Sequence, residues 1–242
     1  MWCHLSRRLR WALTLALLAT VMSIPSVGPI PVSAAPMRQP PLPTDRVPDP
    51  HQAGVQWFAA TGHTVRGTFL TYWTKYGGLA QFGYPITEEF PDSGLLDQPP
   101  QPVQYFERAR FEQHREYIGT PYEVLLGRLG AEFHAPDPPT ADRANPATQY
   151  FPQTGHNVIR PFYNYWQSHG GLFVNGYPIS EPLSEVSSTD GRTYTVQYFE
   201  RVRYELHPGN AGTPYEVLLG LLGTQLAGKK GYFPPSTPVP PR

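Results

Sequence analysis

The chain has 242 residues, with 19 basic and 19 acidic side chains, 40% hydrophobic and 13% aromatic residues, and 30 prolines. So many aromatic side chains exclude a wholly disordered chain. The balanced charge supplies no global field for nucleic acid or an acidic membrane. Such a length allows one or two domains, and the composition predicts compact aromatic-rich parts strung on proline-rich segments.

In chain order, the first element is an export signal. Arg7, Arg8 and Arg10 lie in a positive stretch without acids, and the apolar run over residues 11–22 follows it. That run is shorter than the roughly 20 residues a membrane-spanning helix needs. Val32, Ser33 and Ala34 offer small residues for a signal peptidase, which places cleavage after Ala34. Cleavage would leave 16 basic against 19 acidic residues and remove the single cysteine, Cys3. The alternative is an uncleaved anchor. The expected exported chain has no thiol chemistry and no disulfide.

The rest of the chain is one unit written twice. Trp73 recurs as Trp166, 93 positions on, and the offset holds throughout. Thr61-Gly62-His63 returns as Thr154-Gly155-His156, and Gly83-Tyr84-Pro85-Ile86 as Gly176-Tyr177-Pro178-Ile179. Residues 119–127 (GTPYEVLLG) match residues 212–220 without a change. Such self-similarity marks a repeat protein. The expected boundaries are a signal peptide over 1–34, a proline-rich linker over 35–55, a first repeat over 56–133, a second linker over 134–148, a second repeat over 149–226 and a proline-rich tail over 227–242. The linkers read as semi-rigid spacers. The copies are nevertheless expected to pack together, because units this small bury little core alone.

Within each copy the spacing predicts one amphipathic helix and a small antiparallel sheet, an α+β tandem repeat. Val65, Phe69, Tyr72, Trp73 and Tyr76 form a helical stripe, with Thr64 and Asn157 as N-caps in the two copies. Pro161 suits only a first helical turn, and Gly77-Gly78 or Gly170-Gly171 ends the helix. Residues 103–114 and 196–207 alternate with period two and read as strands, followed by short returning strands at 122–126 and 215–219.

The alternation places Gln104, Phe106, Arg108, Arg110, Glu112 and His114 on one face, and the second copy repeats them as Gln197, Phe199, Arg201, Arg203, Glu205 and His207. Forked donors beside aromatic rings suit sugar hydroxyls, carboxylates or short peptides. An exposed ladder of cross-strand ion pairs is the competing reading. Tyr84 and Tyr177, beside glycine turns, could stack on a sugar ring. Glu107 and Glu200 fall on the otherwise apolar face, where a carboxylate needs a partner such as an arginine or a loop amide. His63 and His156 read as caps of the first helical turn. No metalloprotease, nucleophile-elbow or phosphate-loop motif is present in the sequence, and no cofactor or metal is expected.

Gly-Gly-Leu, Gly-Tyr-Pro-Ile-x-Glu, Gln-Tyr-Phe-Glu-Arg and Tyr-Glu-Val, at residues 77–88, 104–108 and 122–124 and again at 170–181, 197–201 and 215–217, resemble the LGFP repeat family of exported bacterial envelope proteins. The resemblance implies a non-catalytic module associated with the cell wall. The expected function is therefore a secreted protein that binds or spaces at the bacterial surface. Its partner would be a cell-wall glycan or surface polymer, with no nucleic acid and no membrane after signal cleavage. The competing classes are a small wall-glycan hydrolase using Glu107 and Glu200 or Glu123 and Glu216, and a purely structural surface-layer repeat.

Overall fold

The computed structural model describes residues 42–92, 100–142, 146–187 and 189–233. The expected export signal over 1–34 and the tail beyond residue 233 lie outside the described residues. The described residues all fall in one compact unit, within Pro40–Arg242. Among the described residues no helix is long and apolar enough to cross a membrane.

Among the described residues the architecture is mixed, with six α-helices and small antiparallel sheets. Strands β1 (Val55–Phe58) and β2 (His63–Arg66) form a hairpin, followed by helices α1 (Gly67–Lys75) and α2 (Gly78–Phe82). A four-stranded sheet then takes β3 (Phe90–Asp92), β4 (Gln101–Tyr105), β5 (Arg110–Gln113) and β6 (Val124–Leu126) in sequential order, and α3 (Leu129–Phe133) closes the first copy. The same succession recurs as β7 (Thr148–Phe151), β8 (His156–Ile159), α4 (Arg160–Ser168) and α5 (Gly171–Asn175). It continues through β9 (Leu183–Val186), β10 (Thr193–Tyr198), β11 (Arg203–Leu206) and β12 (Val217–Leu219) to α6 (Leu222–Lys229).

Each copy thus carries three α-helices where the spacing predicts one. Gly77 and Gly170 adopt φ of 115° and 85°, a left-handed conformation that stops α1 and α4 and lets a second short helix start at once. The helices also begin later than expected. Val65 and Val158 belong to strands, and the residues preceding α1 and α4 are the extended Arg66 and Ile159, so Thr64 and Asn157 are not caps. Pro161 does sit in the first turn of α4.

The runs 103–114 and 196–207 are hairpins, not single strands. Phe106 N–H donates to the Ala109 carbonyl at 2.8 Å, and Phe199 N–H to the Val202 carbonyl at 2.9 Å, closing a tight turn in each. The turn shifts the alternation. Tyr105 pairs with Arg110 and Val103 with Glu112, so these four share one face, while Gln104 and Phe111 share the other. The second copy pairs Tyr198 with Arg203 and Gln197 with Tyr204 in the same way.

The segments read as spacers are also built into the fold. Val47 N–H donates to the Gly62 carbonyl at 2.8 Å, and Thr140 N–H to the Gly155 carbonyl at 2.7 Å, at equivalent points of the two copies. Asp137 N–H bonds the Ile179 carbonyl at 2.8 Å. Proline lacks a donor, but the amides between the prolines remain free to dock the segment along the hairpins. Accordingly β1 begins at Val55 and β7 at Thr148, inside the expected linkers, and α6 extends past residue 226.

Two aromatic clusters fill the copies, one around Phe69, Tyr72, Phe82 and Phe111, the other around Phe162, Phe199 and Tyr204. The copies then exchange their last helices. Ala131 N–H, in α3, donates to the Glu200 carbonyl, and Thr224 N–H, in α6, donates to the Glu107 carbonyl, each at 3.1 Å. Leu222, Leu226 and Ala227 pack on Ile86, Val103 and Tyr105 of the first copy, and Phe133 packs on Ile179, Val196 and Tyr198 of the second. A fully buried leucine contributes roughly 1.5–3 kcal/mol, so the expected packing of the copies has its physical basis in this exchange.

Candidate functional site

The polar strand residues are spent inside the fold. Gln104 is 2% exposed, and its side-chain amide donates to the carbonyls of Thr64 (2.6 Å) and Thr87 (2.8 Å). Gln197 does the same to Asn157 (2.9 Å) and Ser180 (2.8 Å). Each glutamine therefore staples the first hairpin of its copy to the four-stranded sheet. Phe106 and Phe199 are fully buried in the aromatic clusters. The expected open platform is core: Gln104 and Phe106 keep the face that alternation assigns them, but that face packs on the aromatic cluster, while the turn at 106–109 moves Arg110 and Glu112 to the other.

The arginines divide into two sets. Arg110, 2% exposed, pairs with Glu112 (2.6 Å) and Glu132 (2.9 Å) and donates to the Tyr105 hydroxyl at 3.3 Å. Arg203 pairs with Glu185 at 3.2 Å and with Glu205. Burial pushes the Glu132 carboxyl above its ordinary range even beside Arg110. Arg108 and Arg201 instead reach carbonyls, of Leu79 (3.1 Å) and Leu172 (3.0 Å), and Arg201 also approaches Leu126 O at 3.3 Å. His114 contacts Glu116 at 3.0 Å and Glu112 at 3.7 Å, and the His207 ring lies 4.0 Å from Tyr194. Tyr84 and Tyr177 are half-buried, edge-on to Phe58 and Phe151.

The carboxylates singled out in the sequence hold the backbone. Glu107 accepts the Tyr84 N–H at 3.0 Å and Glu200 the Tyr177 N–H at 3.2 Å, with Arg128 3.0 Å from Glu200. Both carboxylates thus take a loop amide, one of the two kinds of partner expected, and Glu200 takes an arginine as well. His63 and His156 are not helix caps. They lie at the start of β2 and β8, facing Glu88 (3.2 Å) and Glu181 (3.5 Å). Thr64 and Asn157 donate backbone N–H groups to those same carboxylates at 2.8 and 2.9 Å.

What each copy presents outward is the loop before its last strand. Glu123 accepts the Gly119 N–H and Glu216 the Gly212 N–H, each at 3.0 Å. Thr120 and Thr213 hydroxyls donate to Tyr117 and Asn210 carbonyls at 2.7 Å. The loop is therefore tied down from within, and on it stand Tyr122, 55% exposed, and Tyr215, 65% exposed. Tyr117 and Ile118 are exposed beside Tyr122. Between the copies a shallow cavity of about 290 Å3 is lined by Tyr76, Pro121, Tyr122, Gly170, Phe173 and Val174. Exposed apolar surface of this kind marks an interaction site more often than a fold requirement. Sequence reasoning passes over Tyr117, Tyr122, Phe173 and Tyr215. The signal was the unbroken identity of residues 119–127 with 212–220, which reads as strand although only 124–126 and 217–219 are extended.

No protein-family profile matches the chain, and neither a curated protein nor a solved structure is similar to it.

Proposed function

We propose that the chain is an exported, non-catalytic module of two LGFP-like repeats that binds at the bacterial cell wall. The observation that carries this reading is the presentation of Tyr122 and Tyr215 on pre-organised loops of identical sequence, with exposed rings and locked backbones. Pre-organised tyrosines give contact area at little entropic cost. The strand arginines, glutamines and glutamates carry the fold, which leaves the loops as the recognition surface. The basic and apolar N-terminus supports export, with residues 1–34 as the signal. The partner is a wall glycan or surface polymer.

The test is co-sedimentation of the chain from residue 35 onward with intact bacterial walls and with purified peptidoglycan. Retention in the pellet is expected. A chain that stays in solution with both would count against the reading, and release of sugar fragments would turn it toward a hydrolase.

A further inference from the structure

The two copies provide an internal comparison, because each imposes the same fold on equivalent residues. The copies differ at several surface positions near the exposed loops; on one side the bulkier residue is found at four of them, whereas on the other Tyr194 beside His207 replaces Gln101. Tyr117 and Ile118 correspond to Asn210 and Ala211, Tyr76 to His169, and Phe173 (of the second copy, facing the first) to Ala80. The polar versions keep the loop intact, with Glu216 on the Gly212 amide at 3.0 Å as Glu123 is on Gly119. Folding therefore does not demand the aromatic version.

On the favoured side the rings form a continuous line. Tyr76 lies 5.3 Å from Phe173, Phe173 6.2 Å from Tyr122, Tyr122 6.4 Å from Tyr117, and Tyr117 6.0 Å from His114, between centroids. This track crosses the boundary between the copies and includes the cavity described above. It carries no surplus of cations: Lys75 lies 5.1 Å from the Tyr76 ring, while Glu112 and Glu116 flank His114 and Glu123 lies in the loop.

We infer that the aromatic line Tyr76–Phe173–Tyr122–Tyr117–His114 is a single subsite for an uncharged, linear glycan. This rests on the wall-binding reading and narrows it to one ligand class and one site per chain. A sugar ring has an apolar C–H face that lies on an aromatic ring while its hydroxyls stay in water or reach phenol edges. Successive rings accommodate successive sugars. A polyanion would need a surplus of cations to bind, and this track has none. The second copy's Tyr215 loop lacks the neighbouring rings and would add little.

Isothermal titration of the chain from residue 35 onward with a β-1,4-linked N-acetylglucosamine hexamer and with a neutral galactan fragment tests this, alongside heparin and a polyproline peptide. One of the two neutral glycans should bind with a stoichiometry near one. Tyr117→Ala with Tyr122→Ala should weaken it by tenfold or more, whereas Tyr215→Ala should change it less than twofold, with the melting temperature of every variant close to the parent. Binding of neither neutral glycan, preference for heparin or polyproline, or equal losses from the Tyr122 and Tyr215 variants would overturn the inference. Loss of wall retention by the parent, with hexamer binding intact, would overturn the wall reading and leave the track standing.

Discussion

Gly130 of the first copy lies directly against the main-chain carbonyl of Phe199 in the second, with no room for a β-carbon between them. Gly223 meets the carbonyl of Phe106 in the same way. The relationship is reciprocal, and it brings α3 and α6 onto the turns that close the two central hairpins. The contact is with backbone, which cannot rotate aside as a side chain can.

Replacing either glycine by alanine should therefore force the copies apart locally. Overpacking of this kind costs about 1–3 kcal/mol or more, and each of Gly130→Ala and Gly223→Ala should lose at least about 2 kcal/mol in urea unfolding. Wild-type stability in either variant would show that the copies do not meet through these helices.

The glutamine staples give a second expectation. Gln104→Leu or Gln197→Leu removes a donor from two buried carbonyls, and each unsatisfied group costs about 1–3 kcal/mol. Either variant should lose roughly 2–4 kcal/mol, while the wall retention of the folded protein should be unchanged. Reduced retention without reduced stability would return these residues to a binding role.

Much of the organisation is legible in the sequence, because a duplication with a constant offset of 93 cannot arise from local propensity. The amphipathic stripe also marks the helix correctly from Phe69 to Trp73, since those rings face the core. The hairpin turns at 106–109 and 199–202 are not legible. Phe-Glu-Arg-Ala and Phe-Glu-Arg-Val contain none of the Gly, Pro, Asn or Asp that usually announce a turn. The Glu107 and Glu200 side chains supply the missing chemistry by holding the neighbouring Tyr84 and Tyr177 amides from a distance in sequence. Once that turn is missed, every assignment of faces beyond it is inverted, which is why Arg110 and Arg203 read as exposed and are buried. The exposed tyrosines were hidden for the opposite reason, since an identical run looks like structure whether structure or binding keeps it.

Stability should fall in acid in a defined way. Burial pushes the Glu88 carboxyl up, but hydrogen bonds from His63 and from the Thr64 side chain and backbone outweigh it and hold the group below its ordinary 4.5. Glu181 is held below the same value, burial again opposing, by Thr140 and Asn157. A carboxyl depressed in the folded state stabilises it above the unfolded pKa and loses that contribution as pH falls through the folded value. The midpoint of urea unfolding should therefore drop as pH falls below about 4.5. Glu132, raised by burial, works in the opposite direction, but its gain in stability comes as pH falls toward about 4.5, above the range in which Glu88 and Glu181 lose theirs. In Glu88→Gln with Glu181→Gln the acid dependence should flatten; an unchanged slope would mean that other groups carry it.

The C-terminal segment should act as a clasp on the first copy. Asp92 accepts the Tyr105 hydroxyl at 3.0 Å and the Tyr232 hydroxyl at 3.1 Å, and pairs with Lys230 at 2.7 Å. Asp92→Ala leaves these donors facing a space without a carboxylate, and should cost about 1–3 kcal/mol. It should also raise hydrogen exchange at the Lys230 and Tyr232 amides more than in β10. Uniform exchange throughout would contradict a local clasp.

In the proposed function the chain is held at the wall by exposed tyrosines on rigid loops and not by its strand arginines. The most direct measurement is the fraction of the Tyr122→Ala, Tyr215→Ala double variant that sediments with intact walls, with its melting temperature matched to the parent. A fall to less than about a tenth of parental retention is expected, in line with the loss of exposed aromatic anchors. Retention equal to the parent would contradict it.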